Sequence, residues 1–556
     1  MHMKNLGPSW LEKAVFYQIY PSSFFDGNGD GIGDLPGVIA KLDYLVSLGV
    51  NAIWLNPCFC STFFDGGYDI TDFRHVDPRF GTDDDLDRLF SEAHSRGLKV
   101  CLDMVAGHTS IKHPWFVKSA EPTPNEYSNY YIWTDDWARY APGLAMQSGG
   151  NDRNGRFLVN YFSVQPALNY GFAKPSAPWQ LPVNHPDVLR VRKELLDNMR
   201  HYLDKGADGF RVDMACSLVK NDPGKRETIK LWREIRAVFD KEYPEAVLIS
   251  EWCYAPQALK AGFHCDFMIH CGTPGYTTLF RMEEKRDLFA KDNRDLYYEQ
   301  DGHDYSTPNK NSYFDEAGKG TAAIFFHNYL EHLAKTSRLG YISVPTGNHD
   351  LPRISDCRDM AEIKTVFAFL MMLPGVPFIY YGDEIGMRNQ PELPSKEGGY
   401  TRTRARTPMQ WSNVKNLGFS KANASQLYLP VDASKDAPTV AAQESDESSL
   451  LNCVKALIAL RHESKALQAQ GKIVLLHTDY PTVFLRSFGK ERYLIAVQPA
   501  DRQFKVALNV PLAVSAELRL AENMSLKLGR GKRNATISGG GKSFGIWKME
   551  RQNLRT

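Results

Sequence analysis

Three acidic side chains stand at the ends of apolar, strand-like runs, each in a different part of the chain. In Gly206-Ala-Asp-Gly-Phe-Arg-Val-Asp213 the alternation of a strand puts Arg211 and Asp213 on one face, with Asp213 at the end of the run. A cation beside a carboxylate favours its ionised form, which suits Asp213 to act as a nucleophile. Leu248-Ile-Ser-Glu251 ends in a second carboxylate, and Thr346-Gly-Asn-His349-Asp350 directly follows another run. Any one of these alone reads as a helix cap. Three together read as the acidic groups of one reaction centre.

A fourth constellation, Asp26-Gly-Asn28-Gly-Asp30-Gly-Ile32-Gly-Asp34, alternates oxygen donors with glycines that permit a tight loop around a hard cation. Asp26, Asn28, Asp30, the carbonyl of Ile32 and Asp34 fit one structural calcium ion. Gly37 stands where an EF-hand needs its glutamate, so the loop is not part of a helix-loop-helix calcium sensor.

The elements that must position these acids are legible as eight short apolar runs: Ala14 to Tyr20, Ala52 to Leu55, Lys99 to Asp103, Gly209 to Asp213, Ala246 to Ile249, Asp266 to Ile269, Tyr341 to Val344 and Val376 to Tyr381. Helix-period segments such as Asp84 to Arg96, Val188 to Leu203 and Arg226 to Phe239 lie between several of them. Strands alternating with helices imply a parallel sheet, and eight such units close into an α/β, (β/α)8 TIM barrel. A barrel carries its chemistry beyond the carboxyl ends of its strands, which is where the three acids fall.

From about Val105 to His185 the chain has no clear period and is much longer than an ordinary loop of about 4 to 6 residues, so it reads as an inserted subdomain after strand 3. Short strands from about Gly471 onward, after a helix over Leu450 to Glu463, read as a C-terminal antiparallel β-domain. The expected division is 1–104 with 186–470 for the barrel, 105–185 for the insertion and 471–556 for the β-domain. The glycine- and lysine-rich segment Lys527 to Lys542 reads as a solvated hairpin loop.

A chain of 556 residues, 43% hydrophobic and 24% charged, buries a large core, and 66 basic against 65 acidic residues leave a net charge of +1. That balance supplies no field for nucleic acid or an anionic membrane, and neither is expected as a partner. No run approaches the roughly 20 apolar residues of a membrane helix. Met1 to Trp10 lacks the apolar core of a signal peptide, which gives a provisional cytoplasmic expectation, although the opening Met-His-Met resembles a cloning remnant. Nine cysteines, an odd number, read as reduced thiols, and Cys58-x-Cys60 lacks a second ligand pair at zinc spacing.

With these motifs in their order, the chain resembles the α-amylase family of glycoside hydrolases, family 13, over nearly its whole length. The resemblance implies Asp213 as the nucleophile of a retaining mechanism, Glu251 as the general acid and base, and Asp350 as stabiliser of the transition state. Retaining chemistry asks for the same division: one carboxylate ionised, one protonated until it delivers its proton. In Asp103-Met-Val-Ala-Gly-His108 the resemblance makes His108 a donor to the sugar of subsite −1, and in Asp65-Gly-Gly-Tyr68-Asp69 it makes Tyr68 a stacking platform. His349 is implied as a contact to sugar hydroxyls, and Gln165-Pro-Ala-Leu-Asn169 occupies the place of a further signature.

Tyr380-Tyr-Gly-Asp-Glu-Ile-Gly-Met387 and Arg402-Thr-Arg-Ala-Arg406-Thr-Pro-Met-Gln-Trp411 resemble the oligo-1,6-glucosidase and α-glucosidase branch. There an acid at Asp65 pairs with an arginine, Arg402 being preferred here over Arg406, and closes subsite −1 around a terminal sugar. The implied substrate is a short α-glucoside, cleaved by exo action. Transglucosylation, isomerisation or phosphorolysis through the same intermediate is the second reading, and a barrel without activity the third. Gly107, Met214 and Ala167 depart from the residues usual at their positions, so a second calcium site is not expected, and linkage, chain length and oligomeric state stay open.

Overall fold

The computed structural model describes residues 6–135, 143–272, 275–280, 312–390, 392–508, 515–529 and 534–550. Eight short strands form its central parallel sheet: β1 (Phe16–Ile19), β2 (Ala52–Leu55), β3 (Lys99–Val105), β4 (Gly209–Asp213), β5 (Val247–Ser250), β6 (Cys265–Phe267), β7 (Tyr341–Ser343) and β8 (Phe378–Tyr380). Their order is β7-β6-β5-β4-β3-β2-β1-β8. Two backbone hydrogen bonds join the ends, Val376 N to the Ile342 carbonyl at 3.1 Å and Thr346 N to the Phe378 carbonyl at 3.0 Å. The sheet thereby closes into the expected barrel. Closure needs Gly375: it has φ +89°, and a Cβ there would meet the Ile342 carbonyl at 1.9 Å.

All eight apolar runs are strands, because a strand buried on both faces shows an almost continuous apolar signal. The flanking helices bury one stripe each. In α1 (Asp83–Ser95) Leu86, Leu89, Phe90 and Ala93 face inward, and Thr82 with Asp85 forms a capping box. The helix α2 (Pro186–Lys205) leads into β4 and ends at Gly206 in the left-handed conformation. Next come α3 (Arg226–Glu242) and α4 (Ala323–Thr336), followed by α5 (Met360–Met372), which is buried nearly all round. Its outer face is covered by the C-terminal sheet, where Phe369 meets Phe484 at 6.1 Å. Arg461, on α6 (Leu450–Glu463), donates to the carbonyls of Met371, Leu373 and Gly375, tying the end of α5 to the closure.

Between β3 and α2 a small antiparallel sheet is built from Trp133–Thr134, Met146–Ser148 and Arg156–Leu158. The C-terminal sheet is antiparallel and comprises β9 (Lys472–His477), β10 (Thr482–Phe488), β11 (Glu491–Gln498), β12 (Phe504–Leu508), β13 (Ser515–Leu528) and β14 (Ala535–Glu550). Here the structure corrects the sequence reading. The segment 527–542 is largely strand: β14 runs through Gly539, Gly540 and Gly541, whose missing side chains admit Asn523 and Asp501. Residues 530–533 of that segment lie outside the described residues.

Candidate active site

Strand alternation puts Arg211 beside Asp213 on β4, and the parallel register sets Asp103 of β3 opposite Arg211. The buried guanidinium is divided among three carboxylates. Its Nη1 donates to Asp103 at 2.9 Å and to Asp213 at 3.0 Å, and its Nη2 reaches Glu251 at 2.7 Å. One positive charge against three carboxylates leaves two negative charges in excess, so the cluster favours holding a proton. Burial, then the charges of Glu251, Asp103 and Asp65, outweigh Arg211 and push the Asp213 carboxyl well above the ordinary range. The sequence expectation is that the cation beside Asp213 keeps it ionised; Arg211 is in place and acts in that direction, but burial and the neighbouring acids outweigh it. Arg211 pairs equally directly with Glu251, a neighbour across the sheet that the sequence does not announce.

The Glu251 turn is fixed from two sides. Met214, directly after Asp213, sits in the left-handed region at φ 42°, an uncommon conformation for a residue with a long side chain, and its N–H donates to the Glu251 carboxylate at 3.1 Å. From the other side Asp266 on β6 accepts from the Ser250 hydroxyl at 2.6 Å and from the backbone N–H groups of Trp252 and Cys253 at 3.1 and 3.3 Å. Burial pushes the Asp266 carboxyl up to about 7.

Asp350 lies under a second cationic group. Arg402 and Arg406 donate to one of its oxygens at 2.8 and 3.0 Å, and His349 Nε2 reaches the other at 3.1 Å. Burial opposes the charge, but His349, Arg402 and Arg406 prevail and hold the carboxyl well below the ordinary range. Arg402 also reaches Asp65 at 3.0 Å, whereas the ion pair of Arg406 is with Asp350. The Asp65 pairing therefore belongs to Arg402. Gln165 donates to the other Asp65 oxygen at 2.8 Å.

A polar floor joins the two groups. Tyr68 stacks on His349 with ring centroids 5.1 Å apart, donates to Asp103 at 2.8 Å and accepts from Asn56 at 2.7 Å. The side-chain amides of Gln18 and Asn56 both point at His349 Nδ1, which leaves the imidazole proton on Nε2, facing Asp350. His108 differs from its expected part. Its Nε2 donates to the Tyr68 carbonyl and its Nδ1 accepts from Asn160, each at 3.0 Å, so both nitrogens are engaged within the protein and none is offered to a sugar. Burial lowers its imidazole to about 4 and keeps it neutral.

The three departures noted in the sequence form one patch around Asn160. A Cβ at Gly107 would meet Asn160 Nδ2 at 2.7 Å, so glycine there makes space for this amide. Asn160 also approaches the Met214 sulfur at 3.5 Å, and the fully buried Ala167 forms a bridge with His108.

In the Asp26 loop each acid organises backbone. Asp26 accepts from Gly29 N at 2.6 Å and Gly31 N at 2.8 Å, Asp30 from Ile32 N, and Asp34 from Gly37 N. Burial raises the Asp34 carboxyl, Asp26 adds to that, and the Gly37, Asn28 and Gly27 N–H groups oppose it. Among the described residues no lysine or arginine forms an ion pair with Asp26, Asp30 or Asp34. Three carboxylates within nine residues, with Asn28 and the Ile32 carbonyl between them, are a donor set that suits a hard dication. The carboxylates are not drawn as close together as Glu316, Asp359 and Glu362, whose oxygens lie within 4.8 Å of one another. Lys542 pairs with two of that second trio, at 2.5 Å from Glu316 and 2.7 Å from Asp359.

The sequence reading did not single out Gln18, Asn56, Asn160 or Asp266. Gln18 is the polar residue inside an apolar strand, a signal that was available. Asp266 follows a cysteine in a three-residue strand, and nothing local distinguishes it from a cap. Among the described residues no cysteine is in a disulfide, Cys58 and Cys60 included. Among the described residues no helix is long and apolar enough to cross a membrane.

Comparison with known proteins gives the family. The family model for the alpha amylase catalytic domain matches residues 18–470. The chain is 32% identical to an oligo-1,6-glucosidase of Heyndrickxia coagulans over 566 aligned residues, covering 88% of this chain and 92% of that protein. It is 33% identical to the trehalose synthase/amylase TreS of Mycobacterium tuberculosis, covering 86% and 79%. Among solved structures, an isomaltulose synthase variant from Erwinia rhapontici in complex with D-glucose superposes with a TM-score of 0.81 at 25% identity, over 98% of this chain and 100% of that one.

The Arg402 geometry makes a stability prediction. A carboxyl lowered in the folded state contributes stability above its unfolded value of about 3.9, and loses it as pH falls through the lower folded value. Arg402→Leu strips Asp350 of one cation and should cost about 3–5 kcal/mol at neutral pH. In thermal unfolding the gap from wild type should be constant above pH 5 and narrow below pH 4. A gap that widens on acidification would contradict this account of Asp350.

Proposed function

Since the chain belongs to the α-amylase family of glycoside hydrolases, we propose that it is a retaining, exo-acting α-glucosidase of short α-glucosides working through Asp213, Glu251 and Asp350. The observation that carries the reading is the one guanidinium shared by Asp213 and Glu251. The Glu251 charge is among the causes that raise the Asp213 carboxyl, so Asp213 ionises more readily when Glu251 carries a proton. A glycosidic oxygen accepting a hydrogen bond from Glu251 selects the form with the proton on Glu251 and the charge on Asp213.

In that form an Asp213 oxygen bonds to the anomeric carbon as the glycosidic bond breaks, and the leaving oxygen takes the Glu251 proton. Water then attacks the same carbon, returns a proton to Glu251 and releases Asp213 as carboxylate. Asp350, kept ionised by His349, Arg402 and Arg406, faces the positive charge that develops on the sugar. Asp65, fixed by Arg402 and Gln165, closes the pocket at one end, which favours a terminal glucosyl unit. Tyr68 and His349 supply the wall on which that unit rests.

A second reading has specific support. Relatives include both oligo-1,6-glucosidases and a trehalose synthase/amylase, and the similar structures include isomaltulose and trehalulose synthases. A sugar hydroxyl replacing water in the second step would give transfer or isomerisation from the same intermediate. Chromatography of products from maltose, isomaltose, sucrose and trehalose, with and without added glucose, separates the two.

The Asp26 loop is proposed to hold one structural calcium ion through Asp26, Asn28, Asp30, the Ile32 carbonyl and Asp34. Adding calcium to chelator-treated protein should raise the unfolding midpoint in proportion to ln(1 + [Ca²⁺]/Kd), with magnesium much weaker. An unfolding midpoint indifferent to both ions would dismiss the site.

Asp213→Asn should lower kcat on every α-glucoside by about 10⁴-fold or more. Wild-type kcat/KM should be bell-shaped in pH, since the nucleophile is lost when both carboxyls are protonated and the acid when neither is. Because burial raises Asp213, the acid limb should lie above the ordinary carboxylate value of about 4. A pH-independent profile, or an active Asp213→Asn, would overturn the mechanism.

A further inference from the structure

Two sulfur atoms from neighbouring strand ends meet beside the Glu251 turn. Cys253, on the loop after β5 and two residues past Glu251, and Cys271, on the loop after β6, place their Sγ atoms 3.1 Å apart. The approach is built into both backbones. Cys253 sits in the left-handed region at φ 62°, uncommon for a residue with a side chain, and its N–H is held by Asp266 at 3.3 Å. Opposite it, Gly272 follows Cys271 at φ +141°, and a Cβ there would meet the Cys253 Cβ at 2.4 Å and its carbonyl oxygen at 2.3 Å. Glycine therefore lets the two stretches lie this close. Neither thiol has a part in the proposed reaction, and neither is in a disulfide.

The two sulfurs are about 1 Å short of a covalent bond. Their exposure differs: Cys253 is buried and Cys271 half-buried. Burial, then the hydrogen bond and charge of Cys271, push the Cys253 thiol well above its ordinary range, so Cys253 stays protonated. Cys271 is the sulfur that a small oxidant reaches first, with a second thiol already against it. We propose that Cys253 and Cys271 are a redox-modifiable pair, oxidised by a peroxide to a disulfide that draws Glu251 out of position for proton transfer. The rate effect rests on the glucosidase reading, whereas the cross-link does not.

Cys271, as thiolate, attacks one peroxide oxygen; the O–O bond breaks, leaving a sulfenic acid and a hydroxide that takes up the thiol proton as water. The Cys253 sulfur then attacks Cys271, the S–O bond breaks, and the departing hydroxide takes the Cys253 proton as a second water. Two thiols lose two electrons and one peroxide gains them. A dithiol reductant reverses the step by exchange. Closing the S–S bond shifts the sulfurs by about 1 Å, and Cys253 shares its Asp266 acceptor with Trp252, the residue next to Glu251. A displacement of that size, passed to the acid, costs up to about 100-fold in rate.

The test treats reduced protein with a small molar excess of hydrogen peroxide and digests it with disulfides preserved. Mass spectrometry should find the Cys253 and Cys271 peptides joined and lighter by two hydrogens. The kcat on the best substrate among maltose, isomaltose, sucrose and trehalose should fall by about tenfold or more, and return with dithiothreitol. Turnover of α-glucosyl fluoride with added azide should fall by less than about threefold, since fluoride leaves without a proton and azide attacks without a base. Cys271→Ser should match reduced wild type and keep its activity under peroxide, with Cys253→Ala as the same check from the other side. No joined peptide, a joined peptide with unchanged kcat, equal losses on the disaccharide and on the fluoride with azide, or the same loss in Cys271→Ser would each overturn the proposal. A reduced wild type inactive on every α-glucoside would overturn the glucosidase reading and the rate effect with it, while the peptide masses still decide the cross-link.

Discussion

One buried guanidinium organises the candidate active site. Arg211 is almost wholly excluded from solvent and touches Asp103, Asp213 and Glu251, which belong to three neighbouring strand ends. Burying that many acids without the cation would force them to take up protons. With the cation, the cluster tolerates charge and remains short of full neutralisation. A centre balanced this way can hold one proton beside one ionised carboxylate, the starting state that the proposed two-step reaction needs.

The barrel exists, in this sense, to bring β3, β4 and β5 into register. Asp103 is opposite Arg211 because the parallel ladder places it there, and Glu251 follows because its N–H bonds the Val212 carbonyl at 3.0 Å. The second cationic group is assembled differently. Arg402 lies on a short helical turn after β8, Arg406 directly follows that turn, and Asp65 is on the loop after β2. Their meeting depends on closure of the barrel between β7 and β8, where Gly375 lets the chain pass against Ile342. The candidate site thus has one half built by adjacent strands and another built by long loops.

This division also explains what could be read from the residues in order. Arg211 with Asp213, and the eight apolar runs, are local patterns fixed by the period of a strand. The Asp65–Arg402 pair spans 337 residues and came only through the family resemblance. Sharing of Arg211 with Glu251 needs two strands side by side, and Asp266 beneath the Glu251 turn needs a third. His108 was legible as a site residue but not in its role, since its occupied nitrogens depend on Asn160, a loop residue with no motif. In the C-terminal sheet glycine suggested a turn, whereas β14 uses it for close backbone approach.

The central claim is that Asp213 becomes covalently attached to the sugar. It is tested most directly by incubating the enzyme with 5-fluoro-α-glucosyl fluoride, digesting it and sequencing the peptides by mass spectrometry. The account predicts a fluoroglucosyl ester on Asp213 that decays when an acceptor sugar is added. An adduct on Glu251 or Asp350, or steady turnover of the reagent with no adduct at all, would contradict it.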